Sequence, residues 1–182
     1  IVAVAVFFTP NAYAANTNSA DFESGSSQEL TSADQADLDI TGNMTIEFWI
    51  NLETAQDATE RYILSKYTGT GSQRAYYVAI DTSAGNNRVK LILSSDGIGG
   101  VQEAWVYTLT VGTWYHIAFV YTASTADVIM YANGVSEGAA DQPDTMPTSI
   151  FNSSDDLEIG GLSGGNLDGK LDDVRLWASA RN

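Results

Sequence analysis

The chain has 182 residues, with 23 Asp and Glu against 8 Lys and Arg, a formal charge of −15, 44% hydrophobic residues and no cysteine. A domain of this size buries enough surface to fold without staples, and neither a disulfide nor a thiolate zinc site is open to it. Its acidity repels the phosphates that supply most nucleic-acid affinity, and no run of basic residues offsets it, so nucleic acid is excluded as a partner.

Residues 1–14, "IVAVAVFFTPNAYA", carry a short apolar run, a helix-breaking Pro10 and then Ala12, Tyr13 and Ala14, with small residues around a bulky one. This is the apolar core and cleavage region of a secretory signal peptide whose charged start is missing. The run is too short to span a bilayer, which takes about 20 apolar residues, so no membrane insertion of the mature domain is expected. The absent initiator methionine and the abrupt "WASARN" end predict a piece of a longer exported protein, secreted or at the cell surface, with further domains in the same chain. The domain itself is expected to span residues 15–182.

From Asn16 onward alternation replaces any helical period, and Gly, Asn, Asp and Ser clusters punctuate it, so the reading is all-β. "MTIEFWIN" (44–51) alternates Met44, Ile46, Phe48 and Ile50 against Thr45, Glu47, Trp49 and Asn51, and the first set is the expected core face. Strands follow at 62–67, 75–81 and 89–95, the last two joined as a hairpin through "SAGNNR". Next come 104–110 and the strand in "GTWYHIAFVYTAS", which carries Trp114, His116 and Val120 on one face and Tyr115, Ile117, Phe119 and Tyr121 on the other. Bulk on both faces predicts a central strand, one face on the opposing sheet and the other flooring a shallow groove. In "ADVIMYANGVSEG" the Asn133-Gly134 pair suits the positive φ angles of a type I′ hairpin. Strands at 156–161 and 169–178 close the chain, and helix is expected only in short turns such as "SADQADL". About ten short strands at hairpin spacing predict two antiparallel sheets packed face to face.

The segments "SADFESGSSQELTSADQADLDITGNMTIEFWIN", "ILSKY", "GTWYHIAFVYTAS", "IMYANGV", "LEIGG" and "LDGKLDDVRLWASAR", in that order, resemble the laminin-G-like domains of the concanavalin A-like lectin/glucanase superfamily in bacterial surface proteins. The Trp-x-His strand, the Tyr-x-Asn-Gly hairpin and the closing Asp-Gly-x-x-Asp-x-x-Arg-x-Trp strand are specific in combination. The resemblance implies a jelly-roll sandwich that in many relatives binds a glycan or glycoprotein, often with calcium.

Fold and function are separate questions, so each chemistry is weighed on the residues present. Retaining glycoside hydrolysis needs two carboxylates about 5 to 5.5 Å apart. The glucanases that the chain resembles place them in a Glu-x-Asp-x-Glu run, which is absent here; Asp156 with Glu158 and Asp21 with Glu23 are the pairs at that spacing, and Glu47 has no acidic neighbour two residues away. His116, the single histidine, lacks a nucleophile-elbow context, and a zinc site would lack its usual partners. The domain is therefore expected to be non-catalytic.

Calcium takes six to eight oxygens, and "LDGKLDD" and "DFESGSS" offer carboxylates near the last and first strands. The closing motif singles out Asp172 by resemblance, and Asp168 and Glu23 join it as candidate ligands. For a glycan, exposed aromatic rings rimmed by hydrogen-bonding groups are the requirement. Trp49, Trp114 and Trp177 lie in strand motifs shared across the family whatever the ligand, which implies packing. Trp105 follows a glycine-rich loop where a ring is expected to project from a strand edge, with Tyr107 on the same face; with Glu47, Trp49 and His116 they form the candidate ligand-binding set. The sequence thus predicts a non-catalytic extracellular binding module for a glycan or glycoprotein. A structural spacer, a protein-protein adhesion module without a sugar site, and an accessory domain of a glycoside hydrolase are the alternatives.

Overall fold

The computed structural model describes residues 18–68, 71–162 and 164–181, together with the backbone of Val4 and Ala5. The strands are β1 (Val4–Ala5), β2 (Ala20–Phe22), β3 (Leu30–Ser32), β4 (Met44–Leu52), β5 (Arg61–Tyr67), β6 (Arg74–Ser83), β7 (Asn86–Leu93), β8 (Val101–Val106), β9 (Tyr115–Thr122), β10 (Asp127–Ala132), β11 (Val135–Ser136), β12 (Leu157–Ile159) and β13 (Gly169–Trp177). Helix is confined to two 3-10 turns, Ser24–Ser26 and Ala36–Leu38, the second inside the "SADQADL" segment.

The strands form two antiparallel sheets, the jelly-roll sandwich expected from the sequence. The first runs β1-β13-β4-β9-β10-β11, with β2 also paired to β13; the second runs β3-β12-β5-β6-β7-β8. The signal-peptide expectation lies outside the described residues except at Val4 and Ala5, whose backbone pairs with Leu176 and Arg175.

Alternation does the sorting. Met44, Ile46, Phe48 and Ile50 of β4 face inward, as expected, and meet Ile117, Phe119 and Tyr121 of β9, so the inward set of the double-sided strand is now assigned. Its other face, His116, Ala118 and Val120, points away from the core beside Trp49, Glu47 and Thr45. From the second sheet Tyr76, Val78, Ile80, Val89, Leu91, Leu93 and Trp105 complete the core.

Turn chemistry fixes the register. Asn133 (φ 51°) and Gly134 (φ 79°) form the expected hairpin turn between β10 and β11, a conformation that costs glycine nothing and asparagine little. In β13 the pairing with β4 slips between Asp172 and Arg175, and Asp173 takes a left-handed φ of 48°. The Asp172 carboxylate accepts the Asp173 N–H at 2.7 Å and so braces this bulge.

The short strands β2 and β3 are not expected from the sequence, β9 begins at Tyr115 and so leaves Trp114 outside it, and β8 is shifted. The segment expected at 104–110 is paired as Val101–Val106, because after Val106 the chain leaves the ladder, Tyr107 N–H bonding Asn87 O and Leu109 N–H bonding the Gln56 side chain.

Candidate functional site

Trp105, the expected platform, is 1% exposed. Its face of β8 points inward, its ring meets Phe119 of the opposite sheet at 5.6 Å, and its indole N–H donates to Gly138 O at 3.1 Å. The platform assignment is therefore corrected: Trp105 is a core residue. Tyr107 lies beyond the end of β8, half-buried, packed edge-on against Tyr115 at 5.9 Å.

Glu47, Trp49 and His116 do come together, on the outer face of the first sheet. Trp49 pairs with His116 across β4 and β9, their rings 5.3 Å apart, and Trp49 is 38% exposed, so the packing role implied for it holds only in part. Glu47 accepts the Trp177 indole N–H at 2.9 Å and lies 3.4 Å from His116 Nε2 and 3.7 Å from Arg175. The His116 hydrogen bond leads in pulling the Glu47 carboxyl down to about 2, against its burial and helped by Trp177 and Arg175. A carboxylate so fully occupied braces strands; Trp49 is the part of this trio left to the solvent.

The calcium candidates do not converge. Asp172 is 4% exposed and spent on its bulge. Asp168 accepts the Ser24 N–H at 3.1 Å and its hydroxyl at 3.2 Å, tying the segment after β2 to the start of β13. Glu23 instead sits with Asp21 and Glu53, the one group of three carboxylates within ligating distance among the described residues. Lys170 already stands there, 3.3 Å from Asp21 and paired to Glu53. Asp172, Asp168 and Glu23 therefore do not fit one calcium ion, since a hard cation needs its oxygens converging and uncommitted.

What the sequence reading missed is the outer face of the second sheet. Because Tyr76, Val78 and Ile80 point inward, Tyr77, Ala79 and Asp81 point outward, joined across the ladders by Arg88, Lys90 and Ile92 of β7 and by Tyr62 and Ser65 of β5. Three tyrosines cluster there: Tyr77 meets Tyr62 edge-on at 5.2 Å and Tyr67 at 4.8 Å, and the Arg74 guanidinium lies over Tyr67 at 5.4 Å. All three rings are half-buried.

Under them runs a chain of charges. Arg88 forks onto Asp81 at 2.8 and 2.6 Å, Lys90 bridges Asp81 at 2.8 Å to Glu60, and the Glu60 carboxylate lies near the phenols of Tyr62 and Tyr77. Arg88 and Lys90 hold Asp81 below the ordinary carboxylate value despite its burial, and burial with Glu60 nearby pushes both phenols up. They stay neutral hydroxyls.

An outward face would normally be wet, yet Lys90 is 3% exposed. Flanking chain explains it: Gln56 bonds Arg88 O, Tyr62 N–H bonds Gly165 O, and Gln142 reaches Arg88. Gly165 comes so close that a Cβ there would lie 2.7 Å from the Tyr62 ring. The result is a walled floor of tyrosine edges over a fixed polar network, a surface suited to apolar C–H faces and hydroxyl groups.

A laminin-G family profile of the concanavalin A-like lectin/glucanases superfamily matches residues 24–182, and the chain belongs to that family. No curated protein matches it in sequence. Solved structures share the fold. The CBM40 domain of the Ruminococcus gnavus IT-sialidase, bound to α2,3-sialyllactose, superposes with a TM-score of 0.59 at 15% identity over 85% of this chain and 91% of that one. A heptameric SAP-like pentraxin from Limulus polyphemus gives 0.58 at 16% identity over 85% and 76%. The binding domain of botulinum neurotoxin DC in complex with SialylT gives 0.63 at 11% identity over 85% of this chain and 36% of that one.

Proposed function

We propose that this domain is a non-catalytic glycan-binding module and that the glycan lies on the outer face of the second sheet, over Tyr62, Tyr67 and Tyr77. The observation that carries the reading is the cluster of Tyr62, Tyr67 and Tyr77, packed edge to edge beside the Glu60–Lys90 ion pair. Pre-set rings and hydroxyls are what weak sugar binding requires, because little ordering is left to be done on association. Membership of a lectin-containing family and the sugar complexes of two fold neighbours support the same class of ligand.

The reading is non-catalytic because the two carboxylates of this face are held by cations, Asp81 by Arg88 and Lys90 and Glu60 by Lys90. Asp81, clamped by two cations, is not placed to serve as the acid or the nucleophile of a carboxylate pair. Export, further domains in the same chain and a partner that is a free glycan or a glycoprotein complete the proposal. No helix among the described residues is long and apolar enough to cross a membrane.

The test is a glycan array on the folded chain, with lactose and 3′-sialyllactose titrated separately. Binding that is lost on Tyr77→Ala supports the proposal. Silence on the array by a folded protein moves the reading to a spacer or protein-adhesion module.

A further inference from the structure

At one end of the second sheet the loop between β7 and β8 and the segment 145–147 enclose an open cleft of about 430 Å³. Val101 is the half-buried apolar side chain at its base, with the core residues Leu93 and Met146 behind it. Its polar side chains are Asp96, Ser95 and the buried Ser94 on one wall and Thr145 on the other. The walls are pre-set, because Tyr121 donates to Pro147 O on one side and Phe151 N–H bonds Ser94 O on the other at 2.7 Å.

Asp96 is oriented as an acceptor. Its Oδ1 takes the Ile98 N–H at 2.8 Å, the Gly99 N–H at 3.1 Å and the Ser94 hydroxyl at 3.2 Å, which leaves Oδ2 to meet a ligand. Those backbone donors hold the carboxyl below its ordinary value, so it is ionised at any physiological pH. Asp96 is the one ionisable side chain lining the cleft among the described residues, and it is negative in a chain of charge −15. The charge within the cleft disfavours an anionic group, the nearest cation being Arg74 on the loop backbone at Ile98, whereas a neutral polyol finds an acceptor in Asp96 and hydroxyls in Ser95 and Thr145.

The cleft and the tyrosine face meet at one rim. A Cβ on Gly100 would stand 2.9 Å from the Tyr67 hydroxyl and 2.7 Å from Ile92, so the bare backbone presses on the tyrosine side. Gly99, which also lines the cleft, has open space where a side chain would stand.

We propose that the cleft is a second sugar subsite, for a neutral hexose unit of an oligosaccharide that crosses the rim over Gly99 and Gly100 from the tyrosine face. This rests on the glycan-binding reading above and extends it: the ligand is an oligosaccharide rather than a single terminal sugar, and the unit in the cleft carries no acid group.

The test uses the full chain on an array of neutral and sialylated oligosaccharides of one to six residues, with Gly99→Tyr and Thr145→Trp. Both substitutions fall at exposed positions, the first in open space, so both variants are expected to fold, which circular dichroism checks. The expected result is that the best neutral oligosaccharide binds roughly tenfold or more tightly than its terminal disaccharide, and that each variant removes this advantage while disaccharide binding is unchanged. An advantage that survives both substitutions, with binding still lost on Tyr77→Ala, overturns the subsite and leaves the tyrosine face intact. A preference for an acidic unit that Thr145→Trp removes overturns the neutral assignment. Silence across the array overturns both readings.

Discussion

The indole N–H of Trp177 donates to the Glu47 carboxylate at 2.9 Å, joining the last strand to the centre of the first sheet. His116 and Arg175 approach the same carboxylate from either side, at 3.4 and 3.7 Å. Since His116 and its neighbours bring the Glu47 carboxyl from 4.5 down to about 2, folding favours its ionised form. The stability this gives is complete above about pH 4.5 and is lost as pH falls through about 2. Glu47→Gln is expected to cost about 2 kcal/mol at pH 7, allowing for partial exposure. Urea unfolding of wild type and variant at pH 7, 4 and 2.5 should show the gap narrowing as pH drops; a gap independent of pH contradicts the ion-pair account.

Trp105→Ala should cost about 3 to 5 kcal/mol, since it removes a fully enclosed ring packed on Phe119 and leaves Gly138 O without its donor. Denaturant midpoints measure this. At temperatures where the variant remains folded, sugar binding should be unchanged, in contrast to a residue of the binding face.

Glu103 gives the opposite pH signature. It is 8% exposed on the inner face of β8, and burial, with Asp127 and Asp144 nearby, pushes its carboxyl up to about 7. The folded state then holds a proton that the unfolded chain releases, so stability declines as pH rises from about 4.5 through 7. Glu103→Gln should stabilise the protein by on the order of 1 to 3 kcal/mol above pH 8 and have no effect below pH 4. Thermal midpoints across pH 4 to 9 decide it, and a variant no more stable than wild type at pH 8 contradicts the burial account.

Because Lys170 supplies the positive charge among Asp21, Glu23 and Glu53, millimolar calcium or chelator should leave the thermal midpoint within about 1 °C. A concentration-dependent rise of several degrees on adding calcium contradicts this.

Much of the fold was legible because period-2 alternation in segments such as "MTIEFWIN" identifies both the strand and its buried face. Asn133-Gly134 located its turn for a similarly local reason, the φ angles that those residues accept. The burial of Trp105 is not legible in the same way, because alternation in "AWVYTLT" separates Trp105, Tyr107 and Leu109 from their neighbours without saying which set faces in. The tyrosine face was harder, since Tyr62, Tyr67, Tyr77, Glu60 and Lys90 are brought together only by the pairing of β5, β6 and β7. A signal did exist: in "YYVAID" one face is wholly apolar while the other carries Tyr77, Ala79 and Asp81. Of the site residues read from sequence, Glu47, Trp49 and His116 met because β4 and β9 are direct neighbours; Asp172, Asp168 and Glu23 did not, because a bulge and the Ser24 bonds claimed two of them.

The measurement that bears most directly on the central claim is the glycan-array profile of wild type beside Tyr77→Ala and Trp49→Ala, with circular dichroism to confirm that each is folded. The account predicts selective binding by wild type, unchanged in Trp49→Ala and lost in Tyr77→Ala, because the sugar lies on the second sheet. Binding that persists in Tyr77→Ala and disappears in Trp49→Ala would place the ligand on the opposite sheet and contradict the account.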